Sequence, residues 1–216
     1  MNDAAWILAS RNAGKLRELR ALFQDAGLAV VDLEEAGIDE RAEEEAIEVF
    51  DTFEANALAK ARYYASRAPG RTIVADDSGL EVLALHGAPG VKSKRWSGRA
   101  DLSGAALDAA NNARLLERLA DQSDWRARFV CAAAWCRGDR SLVVRGEVPG
   151  TIVAQPAGRE GFGYDPHFHA TELGRTLAEA SIAEKQRVSH RGRAFAALLE
   201  RLRADGMIGR RSTGMG

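Results

Sequence analysis

Short apolar runs alternate with segments of helical spacing through the first half of the chain, and this alternation most constrains the fold. Residues 4–9 and 28–33 are too short for buried helices and read as strands. Between them Leu16, Leu19, Leu22 and Phe23 recur at helical spacing, with Asn12 as the expected N-cap and Gly27 as the stop. Residues 34–48 are acidic and weakly patterned, read as loop with some helix. Thr52 to Ser66 reads as a helix with Phe53, Ala57, Ala61 and Tyr64 on one face, ended by Pro69-Gly70. Residues 71–75 read as a strand running into Asp76-Asp77-Ser78-Gly79, and Leu80 to Leu85 as a further strand. Residues 86–98 form a glycine-bearing loop, and residues 103–120 a helix. Two long strand-like stretches follow, 127–136 and 141–153, joined by the turn Arg137-Gly138-Asp139-Arg140 and so expected to form a hairpin. A glycine-rich loop over 155–167 and a last helix over 189–202 complete the pattern. The expected fold class is α/β, with a mixed central sheet flanked by helices. Residues 1–205 are expected to form one domain, and 206–216 a flexible tail.

Composition narrows the function classes. The chain has 216 residues, 46% of them apolar and 28% charged, a profile that excludes collagen-like, coiled-coil and largely disordered chains. The longest apolar run, Phe129 to Cys136, is far below the roughly 20 residues that cross a bilayer. The first ten residues lack a basic region followed by an apolar one, so no secretory signal is expected. Cys131 and Cys136 lack CxxC spacing and read as core residues, which fits a cytoplasmic home. The net charge of −1 argues against a dedicated nucleic-acid binder, and no membrane partner is expected. Charge is nevertheless uneven. Residues 32–54 hold eleven acids and one base, whereas residues 185–216 hold eight bases and two acids. Magnesium and a polyphosphate would satisfy both ends.

Four segments can carry chemistry. Ser10-Arg11-Asn12-Ala13-Gly14-Lys15 lies between a strand and a helix, where helix N–H groups suit phosphate. It is not a Walker A loop, because the first glycine is missing and Leu16 follows the lysine. Asp76 and Asp77 sit side by side, so that on a strand one carboxylate can reach a cleft while the other braces the loop. Phe162-Gly163-Tyr164-Asp165 offers an aromatic for stacking on a base and a carboxylate for a ring N–H. Lys185, His190 and Arg191 precede or open the last helix, where basic groups meet phosphate or carbonyl oxygen. His167 and His169 lack a third ligand nearby for zinc.

In this order the stretches SRNAGKLREL, TFEANALAKAR, ADDSGLEV, GAPGVKSKRWSG, PAGREGFGYDPHF and EKQRVSHRGRA resemble the inosine triphosphate pyrophosphatase family, the XTP/dITP diphosphatases. The resemblance spans nearly the whole chain. It implies a two-lobed fold with the active-site cleft between the lobes. It implies Mg2+-dependent hydrolysis of ITP, dITP and XTP to monophosphate and pyrophosphate, clearing them from the nucleotide pool. It also implies a homodimer, for which the sequence offers only the segment Val91 to Trp96 as a contact. Carried over by position, Ser10, Arg11, Asn12, Ala13, Gly14 and Lys15 bind the triphosphate, and Asp77 is both the catalytic carboxylate and a metal ligand. Ser78 touches substrate. Phe162, Gly163, Tyr164, Asp165, Lys185, His190 and Arg191 hold the nucleotide, largely by its base. The second metal carboxylate counts back from Thr52 to Glu48, with Glu45 and Asp51 as alternatives because the family's usual glycine is absent before the helix. Ala55 and Lys92 also depart from the family pattern. Two other readings stay open: a Maf-type pyrophosphatase for modified or pyrimidine triphosphates, and a nucleotide- or RNA-binding protein without turnover.

Overall fold

The computed structural model describes residues 5–209. Seven strands and five α-helices are found among these residues. The strands are β1 (Trp6–Leu8), β2 (Val30–Asp32), β3 (Ile73–Val82), β4 (Arg126–Arg137), β5 (Arg140–Ile152), β6 (Phe168–Ala170) and β7 (Arg175–Thr176). The helices are α1 (Ala13–Asp25), α2 (Phe53–Arg67), α3 (Gly104–Leu119), α4 (Ile182–Val188) and α5 (His190–Ala204). The strands form one mixed sheet in the order β2-β1-β3-β4-β5-β6-β7. β1 runs parallel to both β2 and β3, and β6 runs antiparallel to β5 and β7. The sheet is open and helix-flanked, as the alternation of periodicities predicts.

Asn12 caps its helix as read from the sequence, and Thr52, read as the first helical residue, is the cap of the next. The Asn12 side chain accepts from the Lys15 N–H at 3.0 Å and opens α1, and Thr52 Oγ1 accepts from the Ala55 N–H at 3.2 Å and opens α2. The hairpin forms as expected. The Asp-Asp-Ser-Gly segment does not end its strand, however. Residues 73–82 form one continuous strand, and a 3-10 turn at Leu83–Leu85 replaces the separate strand expected there. The wholly buried Asp76 survives inside this strand because the Lys15 ammonium meets its carboxylate, as described below. Elements that went unread include β6, β7, α4 and the 3-10 turns at Gly90–Arg95, Asp165–His167 and Leu177–Glu179. Of these, the strands β6 and β7 have only three and two residues, and the helix α4 has seven, too few to show a period. Lys185 therefore lies inside a helix of its own, and α5 starts at His190. Of the expected tail, residues 206–209 follow α5 as turn and bend, and 210–216 lie outside the described residues.

The chain divides into two compact units. The first comprises residues 5–76, 132–145 and 194–209 of the described chain. The second comprises residues 77–131 and 146–193. The first unit's core includes Ile7, Leu8, Leu19, Ile73, Leu198 and Leu202, all buried. Phe23 meets Trp6 and Phe195 edge-on, each at 5.7 Å between centroids. The second unit's core gathers Leu80, Leu115, Phe129, Val148, Ile152, Phe168 and Leu177. Trp96 packs against this core, so the segment read as a possible dimer contact is partly used inside its own unit.

Candidate active site

In the first unit, the residues around the N-terminus of α1 form a charged cluster. β1 delivers the chain to Ser10, whose Oγ accepts from the Asn12 N–H at 3.2 Å. The first-turn N–H groups of a helix have no acceptor within the helix, and here Asn12 satisfies only that of Lys15. Those of Ala13 and Gly14 keep the anion-binding character of a helix start. Lys15 Nζ lies 3.0 Å from Asp76 Oδ2, whose side chain is wholly buried. Lys60, on α2, donates to the Asp76 carbonyl at 2.8 Å and pairs with the Glu48 carboxylate. Two lysines and two carboxylates thus interlock. Burial works to raise the Glu48 carboxyl, but the charges of Lys60 and Lys15 outweigh it and hold Glu48 below the usual carboxylate range. Glu48 is therefore kept ionised.

Arg11 takes a different part from its neighbours. Its guanidinium grips both oxygens of Glu44, at 2.8 and 3.0 Å, and donates to the Ile38 carbonyl at 3.2 Å. Arg67 adds a third bond to Glu44 at 3.0 Å. Burial would raise the Glu44 carboxyl; the hydrogen bonds from Arg11 and Tyr64 instead bring it down to about 2. This bidentate clamp fixes the acidic 3-10 turn at Ala42–Ala46, shortly before Glu48. Glu45 and Asp51 are both solvent-exposed, while Glu48 is half-buried in the lysine cluster.

In the second unit, Asp77 and Ser78 continue β3, and Asp77 Oδ1 accepts from the Ser78 N–H at 2.9 Å. Arg191, on α5, donates to Ser78 Oγ at 2.9 Å. The 161–165 loop wraps around a buried ion pair, Lys185 Nζ to Asp165 Oδ2 at 2.8 Å. The same Asp165 oxygen accepts from the Phe162 N–H at 2.9 Å. Gly161 is required here: with φ +81°, a Cβ would lie 2.1 Å from Asp165 Oδ2. The Phe162 ring carries two cations, with Lys185 Nζ 5.8 Å and the Arg191 guanidinium carbon 5.7 Å from its centroid. His190 lies flat on Phe129, 4.6 Å between centroids at an interplanar angle of 11°. Tyr164 is turned into the core, its hydroxyl donating to the Ser93 carbonyl at 2.8 Å. Phe162, half-buried, is the loop aromatic suited to stacking on a ligand.

The residues read from the sequence thus fall into two clusters, Ser10–Lys15 with Glu48 in one unit and Asp77, Ser78, 162–165, Lys185, His190 and Arg191 in the other. Sequence reading missed Lys60, and it expected one of the two adjacent acids to brace the loop without naming its partner. Lys60 had a signal: it sits at helical spacing from Phe53, Ala57 and Tyr64, so a lysine falls on the face otherwise buried. Among the described residues no three His, Cys, Asp or Glu side chains gather as a metal cluster. A magnesium ion needs only one or two protein carboxylates when substrate phosphates and water complete its shell. The ionised, oxygen-only Glu48 fits that demand.

Known proteins resemble this chain over most of its length. The model of the Ham1 family matches residues 6–201. A dITP/XTP pyrophosphatase of Mycobacterium bovis is 52% identical over 200 residues, covering 92% of this chain and 95% of the relative. One of Bordetella parapertussis is 48% identical over 207 residues, covering 94% and 93%. The structure of the Staphylococcus aureus Ham1 protein superposes with a TM-score of 0.77 at 37% identity, covering 94% of this chain and all of that one.

Proposed function

Since the chain belongs to the Ham1 family, we propose that it hydrolyses the non-canonical purine nucleoside triphosphates ITP, dITP and XTP to monophosphate and pyrophosphate. The names of relatives about half identical to it support the reaction class. The observation that carries the choice of a nucleotide is the second unit's loop, where a phenylalanine ring lies under two cations beside a buried Asp–Lys pair.

The reaction places a water on the α-phosphorus and expels pyrophosphate, so charge on the phosphates must be met and the water aimed. The first-turn amides of α1 and the Lys15 ammonium are assigned to the triphosphate. Lys60 positions Glu48 and the strand carrying Asp76. The Arg11 side chain is assigned to Glu44, leaving its backbone to the phosphate loop. Asp77 is assigned to orient the water and take its proton. An isolated Asp, with a pKa of about 3.9, is a weak base at neutral pH, so activity is expected to rise on the alkaline side. Glu48 and Asp77 are the carboxylates assigned to magnesium, which when bound supplies charge neutralisation and acidifies water. Phe162 is assigned to stack on the base, and Arg191 to donate to its 6-oxo group. An adenine 6-amino group would meet that donor with another, a mismatch of about 1–3 kcal/mol.

The protein is further proposed to act as a cytoplasmic homodimer, with residues 1–205 working as one functional domain. No described helix is long and apolar enough to cross a membrane. Light scattering at micromolar concentration would read the dimer; the mass of a single chain, 23.3 kDa, would refute it.

The test of the reaction is product analysis. Purified protein with ITP and magnesium should release pyrophosphate and IMP, and excess chelator should stop it. Orthophosphate as the first product would contradict attack at the α-phosphorus, and full activity in chelator would remove the metal. Preference for a pyrimidine triphosphate would favour the Maf-type reading.

A further inference from the structure

We propose that Asp108 and Asn112 of α3 are positioning residues for base selection, holding the Phe162 loop in register through Gly163. The proposal rests on the reading of that loop as the base holder. α3 touches the loop at one peptide unit after another. Asp108 Oδ2 accepts from the Gly163 N–H at 2.8 Å, and Asn112 Nδ2 donates to the Gly163 carbonyl at 2.9 Å. Both polar groups of one loop residue are thus pinned by a single turn of helix.

Three features set this clamp apart from incidental loop packing. Gly163 has φ +65°, a left-handed conformation that glycine adopts without strain, and the clamp closes on that residue, where the chain turns. The Asn112 amide is fixed in orientation, because its second Nδ2 proton goes to the Asp108 carbonyl at 3.0 Å. A flipped amide would aim oxygen at two carbonyl oxygens. Finally, Asn111 and Asn112 interrupt a helix whose other inward positions, Asp108 apart, are Leu and Ala. Asparagine is a poor interior helix residue, so the pair needs a reason to be there. Asn111 supplies part of one by binding the Ser97 N–H at 2.8 Å and the Lys94 carbonyl at 3.0 Å. Asn112 is left with the substrate loop.

The consequence is specific. Phe162 precedes Gly163, and Asp165 holds the Phe162 N–H from the other side. A shift of the Gly163 peptide moves the stacking ring relative to Arg191, and small misplacements of a positioning group cost one to two orders of magnitude. Loss of the clamp should therefore act on base recognition before it acts on phosphate chemistry.

The experiment measures kcat and KM for ITP and ATP in Asn112→Asp, Asp108→Ala, Asp108→Asn and Phe162→Ala, with thermal melting of each. Asn112→Asp keeps the shape and sets oxygen against two carbonyls. It should lower the ITP:ATP ratio of kcat/KM by about tenfold, mainly through the KM for ITP. Asp108→Ala should do the same, and Asp108→Asn, which keeps an acceptor for the Gly163 N–H, should restore most of the ratio. Phe162→Ala reads the underlying assignment and should also collapse the ratio. If Phe162→Ala collapses it while the α3 variants only lower the melting temperature, the clamp is structural and the proposal is overturned. An unchanged ratio in Phe162→Ala would overturn the base-holding reading and the proposal with it. Should Asn112→Asp fail to fold, the contrast between Asp108→Ala and Asp108→Asn decides alone.

Discussion

In the first unit, two lysines interlock with two carboxylates at the start of a helix; in the second, a single ion pair closes beside an aromatic ring that carries two cations. The first arrangement is dense in charge and has no aromatic group in it. It discriminates by charge number, which every nucleoside triphosphate shares. The second offers a flat apolar face with donors at fixed angles, and discriminates by shape and hydrogen-bond polarity. Substitutions in the first cluster should therefore hurt all triphosphates alike, while those in the second should change the ranking among them. The ion pairs also differ in what they tolerate. Lys185 and Asp165 are both almost wholly buried, so removing either leaves a bare charge at a cost of about 3–5 kcal/mol. Phe162, an uncharged side chain, is a better probe of recognition for that reason.

The largest expected effect is on Asp77. Asp77→Asn should cut kcat by at least about a hundredfold for ITP and ATP alike, with little change in melting temperature, because one aimed charge is lost while shape is kept. Its neighbour should behave in the opposite sense. Asp76→Asn takes the partner from Lys15 in a buried pair and should mainly lower stability, by about 3 kcal/mol or more, read by denaturant titration. If Asp76→Asn loses turnover without losing stability, the catalytic role moves one residue back. Next, Glu48→Gln should raise the magnesium concentration for half-maximal activity by about tenfold, since one charged oxygen ligand disappears. Glu45→Gln and Asp51→Asn, both at exposed sites, should leave it unchanged; a larger shift in either would reassign the ligand.

The smallest effect concerns the clamp on Arg11. Glu44 has its pKa lowered from 4.5 to about 2 in the folded protein. A carboxyl depressed in this way contributes stability above its unfolded pKa and loses it as pH falls toward the folded one. The stability gap between the wild-type protein and Glu44→Gln should be full at neutral pH, then shrink between pH 4.5 and about 2. Denaturant midpoints across that range check it, and a gap independent of pH would mean that Glu44 contributes by packing alone.

Much of this was legible in the chain, and the reasons for the rest are physical. The cap at Asn12 was readable because a cap depends on neighbours three residues away. The hairpin was readable because its turn and its two apolar stretches are contiguous. The run through Asp76 and Asp77 was misread as a strand end, since acids in a strand look like a turn until the distant lysine that meets the buried Asp76 carboxylate, Lys15, is known. The pinning of Gly163 by Asp108 joins residues 55 apart, and no local period reports such a pairing. Of the two loop aromatics, only the fold separates Phe162, beside the cations, from Tyr164, which bonds to Ser93 in the core.

The division of labour between the two clusters is tested most directly by measuring kcat/KM for ITP and ATP in Lys15→Ala and Arg191→Ala side by side. The account predicts that Lys15→Ala lowers both values by the same factor, leaving their ratio intact. Arg191→Ala should lower the ITP:ATP ratio by about tenfold or more, which corresponds to about 1.4 kcal/mol of lost discrimination. A uniform loss in Arg191→Ala, or a collapsed ratio in Lys15→Ala, would contradict the account by assigning base reading to the wrong cluster.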